Sequence, residues 1–256
     1  MKIAIIFPDL HIPFEDKRAV DLVFKVVEHI QKNIKPIDSV TLLGDAIDLY
    51  GLSRYDKDPA FGDIAELYDR EMACANMFLD RVDEEFSKAR EKIFIEGNHE
   101  YRMKKYMNAN AGALRNVVTV PSELGLASRA KWKWVGYNRH QSQAILGSSL
   151  FTRHEPFGAS QPKLQAQKAG GSFLYGHTHE VGEGTYVCKL TGRVFIAINA
   201  GCLVKIDEKV FDYCVNRPNW SHAFVISYFY KDTFTCQVVR ILPDYTCFFD
   251  GRRFKS

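Results

Sequence analysis

Five short blocks of this sequence carry side chains that can bind metal ions, and each block follows a run of apolar residues. The blocks contain Asp9 and His11, then Asp45 and Asp48, then Asn98, His99 and Glu100, then His154, and last His177 and His179. Carboxylates, an amide oxygen and imidazoles together suit borderline divalent metals such as Mn, Fe or Zn better than Mg or Ca alone. Five ordered blocks of this kind predict a metal site rather than isolated core histidines.

Two pairs of these side chains, Asp9 with His11 and His177 with His179, are spaced two residues apart. In extended backbone this spacing puts both side chains on the same face. In a turn it would instead let them reach two neighbouring ions. Both arrangements are open at this point.

The apolar runs before the first three blocks are predicted strands, at residues 1–7, 39–43 and 92–95. Between the first two, residues 16–33 have apolar positions spaced by three and four, which predicts an amphipathic helix. A second helix is predicted over residues 64–90. A β-α-β start implies parallel pairing. Parallel strands end at one edge of a sheet, so the blocks are expected to converge there.

The second half of the chain has short predicted strands separated by turn residues. Hairpins are predicted around residues 147–148, 191–192 and 231–233, which favours an antiparallel-rich second sheet. Two β-rich halves suggest a β-sandwich with helices outside. Since the sequence has no internal repeat and no linker, we expect one domain over residues 1–256.

The composition excludes several classes of protein. Apolar residues make up 46% of the 256 residues and aromatic residues 13%, which excludes a largely disordered chain. No apolar run approaches the ~20 residues of a membrane helix, and the first run is too short for a signal peptide. The six cysteines form no closely spaced pair, which favours reduced thiols. We expect a cytoplasmic protein with no membrane partner, whose oligomeric state the sequence leaves open.

A basic segment covers residues 101–168. It has eleven Lys and Arg residues against Glu123 and Glu155, so it carries +9, whereas the remainder carries −6 within a net charge of +3. Such a run is often only a solvated face. The alternative is a positive field that attracts a polyanion such as DNA or RNA. Residues 101–143 are expected to form a basic cap or insertion, in which Tyr106, Trp132, Trp134 and Tyr137 would either stack on bases or pack internally.

The order of the blocks, Asp-x-His, Gly-Asp-x-x-Asp, Gly-Asn-His-Glu, His and Gly-His-Thr-His, resembles the calcineurin-like metallophosphoesterase superfamily over residues 2–201. The stretches from Gly44 to Tyr55 and from Gly97 to Arg102 also resemble a group common in bacteriophage genomes, described as phosphoesterases or DNA exonucleases. The resemblance implies an α/β fold, a two-sheet mixed β-sandwich flanked by helices in four layers. For a phage-encoded protein the compartment would be the host cytoplasm.

The resemblance also implies two divalent ions, Mn²⁺ first, with Fe, Zn or Ni as alternatives. One ion would be held by Asp9, His11, Asp45 and His179, and the second by Asp45 as a bridge, Asn98, His154 and His177. His99 would act on the scissile phosphate as general acid or charge stabiliser, Glu100 and Asp48 would orient neighbouring groups, and Arg102 would contact the phosphate. Two bridged ions can generate hydroxide near neutral pH and stabilise an in-line displacement.

The departures from related patterns narrow the prediction. Leu49 stands where the protein Ser/Thr phosphatases of the superfamily have Arg-Gly, and Asp48 stands where purple acid phosphatases have Tyr. Glu155 follows His154 in place of a common glycine. Every ligand position is filled, which favours activity over an inert binding or scaffold module.

We predict hydrolysis of phosphodiesters or phosphomonoesters in nucleic acid or nucleotides. The alternative within enzymes is a small-substrate phosphatase or cyclic-nucleotide phosphodiesterase.

Overall fold

The computed structural model describes residues 1–53, 63–138, 140–158, 161–206 and 219–256. Arg54 and Tyr55 of the quoted motif, Arg139 of the basic segment and Cys214 lie outside these described residues. The described helices are α1 (Lys17–Asn33), α2 (Ile64–Glu85), α3 (Tyr101–Asn110), α4 (Val120–Glu123) and α5 (Pro162–Ala169). The described strands are β1 (Lys2–Phe7), β2 (Ser39–Leu42), β3 (Glu91–Ile95), β4 (Trp132–Val135), β5 (Gln143–Ala144), β6 (Leu150–Thr152), β7 (Ser172–Tyr175), β8 (Val181–Val187), β9 (Val194–Ala200), β10 (Ala223–Tyr230), β11 (Thr233–Arg240), β12 (Thr246–Phe249) and β13 (Arg252–Lys255).

Within the described ranges, these strands form two mixed sheets and one separate hairpin. The first sheet has the order β11-β10-β1-β2-β3-β4, in which β1 to β4 are parallel and β10 and β11 antiparallel. The second has the order β5-β6-β7-β9-β8, in which β6, β7 and β9 are parallel. Strands β12 and β13 pair with each other.

The predicted two-sheet α/β fold is confirmed, with one correction to its second half. The prediction of an antiparallel-rich second sheet is wrong in part, because the central strands β6, β7 and β9 are parallel. The hairpin of β10 and β11 instead pairs with β1 and extends the first sheet. Local turn residues identify a hairpin. They do not identify the distant strand beside which the hairpin lies, because that depends on how the faces of the hairpin pack.

The alternation of side chains along the strands produces the layers. On β1, Ile3, Ile5 and Phe7 pack into the core under α1 and α2, whereas Ala4 and Ile6 face the second sheet. The second sheet contributes Leu174 and Ile198 to the same inter-sheet core. Its outer face packs on α5, where Phe173 and Tyr175 meet Ala166. Helices, sheet, sheet and helix therefore form four layers, as a two-sided apolar sheet requires.

The helix boundaries follow capping and burial. Asp16 caps α1 because its Oδ1 accepts hydrogen bonds from the N–H groups of Arg18 and Ala19 at 3.0 and 3.1 Å. Helix α2 ends at Glu85, five residues before the predicted end at 90. The chain turns there over the fully buried Phe86, and the N–H of Arg90 already donates to Asp38 O at 2.7 Å on entering the first sheet. No helix among the described residues is both long and apolar enough to cross a membrane.

Residues 101–143, predicted as a basic cap, contain α3, a short 3₁₀ turn at Gly112–Leu114, α4, β4 and the start of β5. Strand β4 pairs with β3 and so forms the edge of the first sheet. The rings of Trp132 and Trp134 lie 6.4 and 4.9 Å from the ring of Phe94. Of the two roles predicted for these tryptophans, the structure shows internal packing.

Candidate metal centre

The five blocks meet where the carboxyl ends of parallel strands from both sheets face each other. The blocks follow β1, β2 and β3 in the first sheet and β6 and β7 in the second. In the described part of the chain, three groups of donor atoms lie within 4.8 Å of one another: Asp9, His11 and His179; His11, Asp45 and His99; and Asp45, His154 and His177. These groups can hold metal ions, and they lie where open α/β sheets place their ligands.

The first cluster consists of Asp9, His11 and His179, all buried. His11 Nε2 lies 3.1 Å from His179 Nε2, and His179 Nε2 lies 3.4 Å from Asp9 Oδ1. Two donors of one ion with bonds of about 2.0–2.1 Å lie roughly 3 Å apart. The spacing is therefore that of donors which share an ion.

The second cluster consists of Asp45, Asn98, His154 and His177. His154 Nε2 lies 3.2 Å from Asp45 Oδ2 and 3.1 Å from Asn98 Oδ1. His177 Nδ1 lies 2.8 Å from the same Asn98 oxygen. His177 is exposed whereas His154 and Asp45 are buried, so this cluster is the one that opens toward solvent.

Asp45 lies between the two clusters. Its Oδ2 is 3.2 Å from His154 Nε2 on one side and 3.8 Å from His11 Nε2 on the other. Its Oδ1 accepts a hydrogen bond from the N–H of His99 at 2.9 Å, which fixes the carboxylate in this orientation. The position fits the bridging role that the sequence predicts for Asp45.

Glycines keep room for these donors. A Cβ on Gly97 would lie 2.1 Å from Asp45 Oδ1, one on Gly176 would lie 2.2 Å from Asp9 Oδ2, and one on Gly44 would lie 2.4 Å from His154 Nδ1. Any side chain at these positions would displace a donor. The mixed oxygen and nitrogen donors, and the space kept for them, therefore fit a pair of divalent cations.

Left-handed backbone aims five of the predicted ligands. Asp9, His11, Asp45, His177 and His179 have φ between 33° and 70°, a region that costs on the order of 1–3 kcal/mol for a residue other than glycine. The two i, i+2 pairs therefore lie in turns rather than in extended chain. As a result Asp9 and His11 reach the same cluster, whereas His177 and His179 reach different ones.

Two contacts decide which imidazole nitrogen faces the site. Asp48 Oδ2 lies 2.8 Å from His11 Nδ1, and the carbonyl oxygen of Leu43 lies 3.0 Å from His154 Nδ1. Each acceptor favours a proton on Nδ1 and leaves the lone pair of Nε2 for the cluster. Gln141, which the sequence did not single out, accepts from the N–H of His154 at 3.2 Å and so positions its backbone.

His99 and Arg102 form a pair beside the first cluster. His99 Nδ1 lies 2.9 Å from the carbonyl oxygen of Asp48, and an Arg102 guanidinium nitrogen donates to His99 Nε2 at 3.0 Å. The other guanidinium nitrogen donates to the Asp48 carbonyl oxygen at 2.9 Å and lies 3.3 Å from its Oδ1. Arg102 thus holds His99 and Asp48 together, and its predicted contact with a phosphate stays a prediction.

Glu100 connects two of the loops that carry ligands. Its carboxylate accepts hydrogen bonds from the N–H groups of Asp45, Ile47 and Gly97 at 3.1, 2.8 and 2.8 Å. Burial, followed by the charge of Asp45, raises the pKa of Glu100 to about 7. The loops after β2 and β3 are therefore fixed to each other through one buried carboxyl group.

The buried charges shift the pKa of the histidines when no cation is present. Burial, followed by His99, lowers the pKa of His11 to about 4. Burial also opposes a charge on His154, but Asp45 outweighs it and raises the pKa of His154 to about 10. Because a ligand nitrogen must lose its proton to bind an ion, metal binding to this cluster releases protons.

The sequence reasoning missed a buried acid, Glu71 of α2. Its Oε1 accepts from the N–H of Tyr50 at 2.9 Å, and its Oε2 has no partner among the described residues. Burial, followed by the charge of Asp48, raises the pKa of Glu71 to about 8. A signal existed, since position 71 lies on the apolar face of the predicted helix, four residues from both Leu67 and Ala75.

Trp220 is another neighbour that the sequence did not indicate. Its ring centroid lies 4.2 Å from that of His179, with an interplanar angle of 67°. The contact covers one side of a candidate ligand with an apolar ring. No motif block lies near position 220 in the sequence, so nothing there pointed to this contact.

No family model and no curated protein matches the sequence. Among solved structures, the chain is similar to Vacuolar Protein Sorting 29 from Cryptosporidium parvum, with a TM-score of 0.49, 12% identity, and 98% of this chain and 94% of that chain covered. It is also similar to Vps29 from Entamoeba histolytica (0.44, 12%, 98% of each chain) and to nuclease MPE from Pseudomonas putida (0.36, 14%, 80% and 76%). These likenesses are remote, so the functional conclusion rests on the geometry of the site. At the level of the fold, two facing mixed sheets whose carboxyl ends gather the five blocks resemble the calcineurin-like metallophosphoesterase superfamily, as the motifs predicted.

Proposed function

We propose that this protein is a hydrolase of phosphate esters that depends on two divalent metal ions. The observation that carries the proposal is the position of Asp45 Oδ2, 3.2 Å from His154 on one side and 3.8 Å from His11 on the other. A carboxylate shared by two clusters of imidazole and oxygen donors is the arrangement of a two-metal site. Mn²⁺ is the ion we expect first, because the donors mix hard oxygens with borderline nitrogens.

In this proposal Asp9, His11 and His179 would hold one cation, Asn98, His154 and His177 would hold the other, and Asp45 would contribute to both. Bound there, the cations would supply an activated water and a positive field for the phosphate. Asp48 and the Leu43 carbonyl keep the histidine lone pairs directed at the clusters. Candidate donors that are held in place before an ion binds support this proposal, because preorganised sites lower the cost of charge development.

His99 is the group we assign to the leaving oxygen. Its Nδ1 faces the carbonyl of Asp48, so a proton to be transferred must reside on Nε2. That nitrogen now accepts a hydrogen bond from Arg102, and protonation would replace this bond. Burial opposes a charge on His99, but Asp45 and Asp48 raise its pKa overall. The pair can therefore act through His99 as general acid or through Arg102 as charge stabiliser.

The substrates we propose are nucleic acids or nucleotides, and the compartment is the cytoplasm. Arg102 and Lys105 on α3 line a groove together with Asn98 of the second cluster, and their positive charge favours a phosphate-rich substrate. Phosphodiesters and phosphomonoesters both fit the same chemistry at the metal centre. A substrate panel separates them from small phosphate esters.

The test is hydrolysis of single- and double-stranded DNA, RNA, nucleotides and cyclic dinucleotides with Mn²⁺, Fe²⁺, Zn²⁺ or Ni²⁺, and after chelation. We expect turnover with at least one metal and its loss on chelation.

Asp45→Asn should weaken binding of both ions, whereas His99→Ala should keep both ions and lower turnover by about 10²–10⁴-fold. Calorimetry with Mn²⁺ gives the ion count. Absence of bindable ions and of turnover would refute the proposal and favour an inert binding module.

A further inference from the structure

A groove runs along one face of α3 and begins at the candidate metal centre. Its volume is about 730 Å³, and its walls include Ser53, Asn98, Arg102, Lys105, Tyr106 and Asn110. Positions 102, 105, 106 and 110 recur at helical spacing, so they share one face of α3. From 102 to 110 the face extends roughly 12 Å along the helix axis. This volume is within the roughly 300–1,000 Å³ that is typical of pockets for small ligands.

The groove and the metal centre share residues. Asn98 lines the groove, and its Oδ1 lies 2.8 Å from His177 and 3.1 Å from His154. Arg102 lines the groove as well and donates to His99 Nε2. A phosphate ester bound at the clusters would therefore have its leaving group beside His99. This leaving side lies at the mouth of the groove.

The described walls of the groove carry positive charge, and two other cations of the basic segment have partners elsewhere. Arg129 binds Asp80 and Asp83, and Lys131 donates to the carbonyl oxygen of Ala89 at 2.6 Å. The described walls of the groove contain Arg102 and Lys105 and neither Asp nor Glu. Arg102 and Lys105 therefore place positive charge on the wall of a groove that begins at the metal centre.

Tyr106 supplies an aromatic face in the same groove. Its side chain is 46% exposed, whereas Trp132 and Trp134 pack on Phe94. An exposed ring next to cations, along a track that leads from a phosphate site, suits an unpaired base that stacks while its phosphate meets a lysine. A base held in a duplex is already stacked and paired, so it cannot use this ring without being extruded.

We propose that the α3 groove binds the nucleoside on the leaving side of the scissile phosphate, with its base on Tyr106 and the next phosphate on Lys105. The substrate is then single-stranded nucleic acid rather than a duplex or a bare phosphate ester. This proposal rests on the proposed function, since it takes the position of the reacting phosphate from the metal centre.

The first test measures binding without turnover, in chelator. Fluorescence anisotropy compares a labelled oligothymidylate with an abasic strand of equal length, which has the same phosphates and no bases. Stacking of one base contributes ~1–3 kcal/mol, so we expect the base-bearing strand to bind about 5- to 150-fold more tightly. Tyr106→Ala should bring this ratio close to one, and Tyr106→Phe should retain it. An unchanged ratio in Tyr106→Ala would overturn the assignment.

Lys105 is tested through the salt dependence of the same binding. Lys105→Gln should weaken both strands alike and reduce the slope of log affinity against log salt by about 0.7. The matched control is Lys104→Gln, because Lys104 is exposed on the same helix and does not line the groove. Equal effects of the two substitutions would contradict a specific phosphate position at Lys105. Far-UV circular dichroism of each variant checks that the protein remains folded.

Hydrolysis with Mn²⁺ then separates this proposal from the proposed function. We expect the single strand to be cleaved faster than its duplex, with the preference for bases lost in Tyr106→Ala. If the single strand and the duplex are both cleaved with no dependence on Tyr106, the role assigned to the groove is refuted and the proposed function stands. Tyr106-dependent binding with no cleavage under any metal would refute the proposed function and leave the groove as a binding site. Faster cleavage of the duplex would overturn the single-strand assignment.

Discussion

At the scale of single residues, the chemistry of the site depends on buried groups that the motifs do not contain. Glu71 is fully buried on α2, and its raised pKa reflects burial and the charge of Asp48. Because a protonated carboxyl group is neutral, Glu71 adds no further negative charge behind the metal clusters at neutral pH. Ionisation of Glu71 would place a second negative charge near the carboxylate of Asp48, and the two carboxylates would repel each other.

Glu71→Gln should change the pH dependence of stability in the metal-free protein. The pKa of Glu71 is raised from 4.5 to about 8, so between these pH values the folded state binds a proton that the unfolded state lacks. The stability of the native chain therefore falls as pH rises through this window, by up to ~1.4 kcal/mol per pH unit. Glutamine cannot ionise and lacks this loss. The variant should gain stability relative to the native chain from pH 4.5 to pH 8.

The measurement is urea unfolding of both proteins in chelator across that pH range. The titrating groups that lie far from Glu71 are common to both chains and cancel in the difference. Glu84→Gln is the control, since Glu84 is exposed on the same helix. A constant difference between Glu71→Gln and the native chain at every pH would contradict the raised pKa.

The convergence of the candidate donors could be predicted from sequence, because donor chemistry and strand ends are local features. Asp9, Asp45, Asn98, His154 and the GHTH pair all follow predicted strands, and the structure brings them together. The contacts of Arg102 with His99 and Asp48 could not be predicted. An arginine side chain is long enough to reach many partners. Which partner it contacts depends on the turn after β2, and that turn has no periodic sequence pattern.

At the scale of elements, glycines at the strand ends set the distance between loops. Gly97 follows β3, and its Cα faces both the side chain and the backbone of Asp45, because a Cβ added there would lie 2.1 Å from Oδ1 and 2.3 Å from N. Glu100 bonds to the N–H groups of both Gly97 and Asp45. The loops after β2 and β3 are therefore in backbone contact, and this contact fixes the orientation of the shared carboxylate.

Gly97→Ala should lower affinity for both metal ions, because the added methyl group pushes Asp45 out of its position between the clusters. Loss of groups that orient ligands typically costs 10–100-fold in metal affinity, and we expect a loss of about that size. Titration calorimetry with Mn²⁺ gives the result. Gly112→Ala is the matched control, since a Cβ there meets nothing within 4 Å. Unchanged affinity in Gly97→Ala would show that Asp45 can shift without cost.

The order of the elements was predictable where neighbours in sequence are neighbours in space. The helix over residues 16–33 and the first parallel pair, β1 with β2, follow from local periodicity. The pairing of β10 with β1 joins residues more than two hundred positions apart. Such a pairing depends on which sheet face is left uncovered, and a local pattern cannot specify it.

At the scale of the whole molecule, the first sheet is assembled from distant parts of the chain. Its centre is β1, which pairs with β2 on one side and with β10 on the other. The inter-sheet core combines Ala4 and Ile6 with Leu174, Ile198 and Val225. Neither half of the chain can complete this core alone. We therefore propose that residues 1–256 fold as one cooperative unit, with the metal centre at the seam between the sheets.

This proposal predicts one unfolding transition that metal binding shifts as a whole. Far-UV circular dichroism and tryptophan fluorescence should give the same midpoint in urea, because the sheets share a core. Mn²⁺ at about 100 times its dissociation constant should add ~2.7 kcal/mol for each site, since the clusters exist only in the folded state. Asp45→Asn should show a much smaller shift. Two separate transitions, of which only one responds to Mn²⁺, would mean that the two sheets unfold independently and that the ions bind to one of them alone.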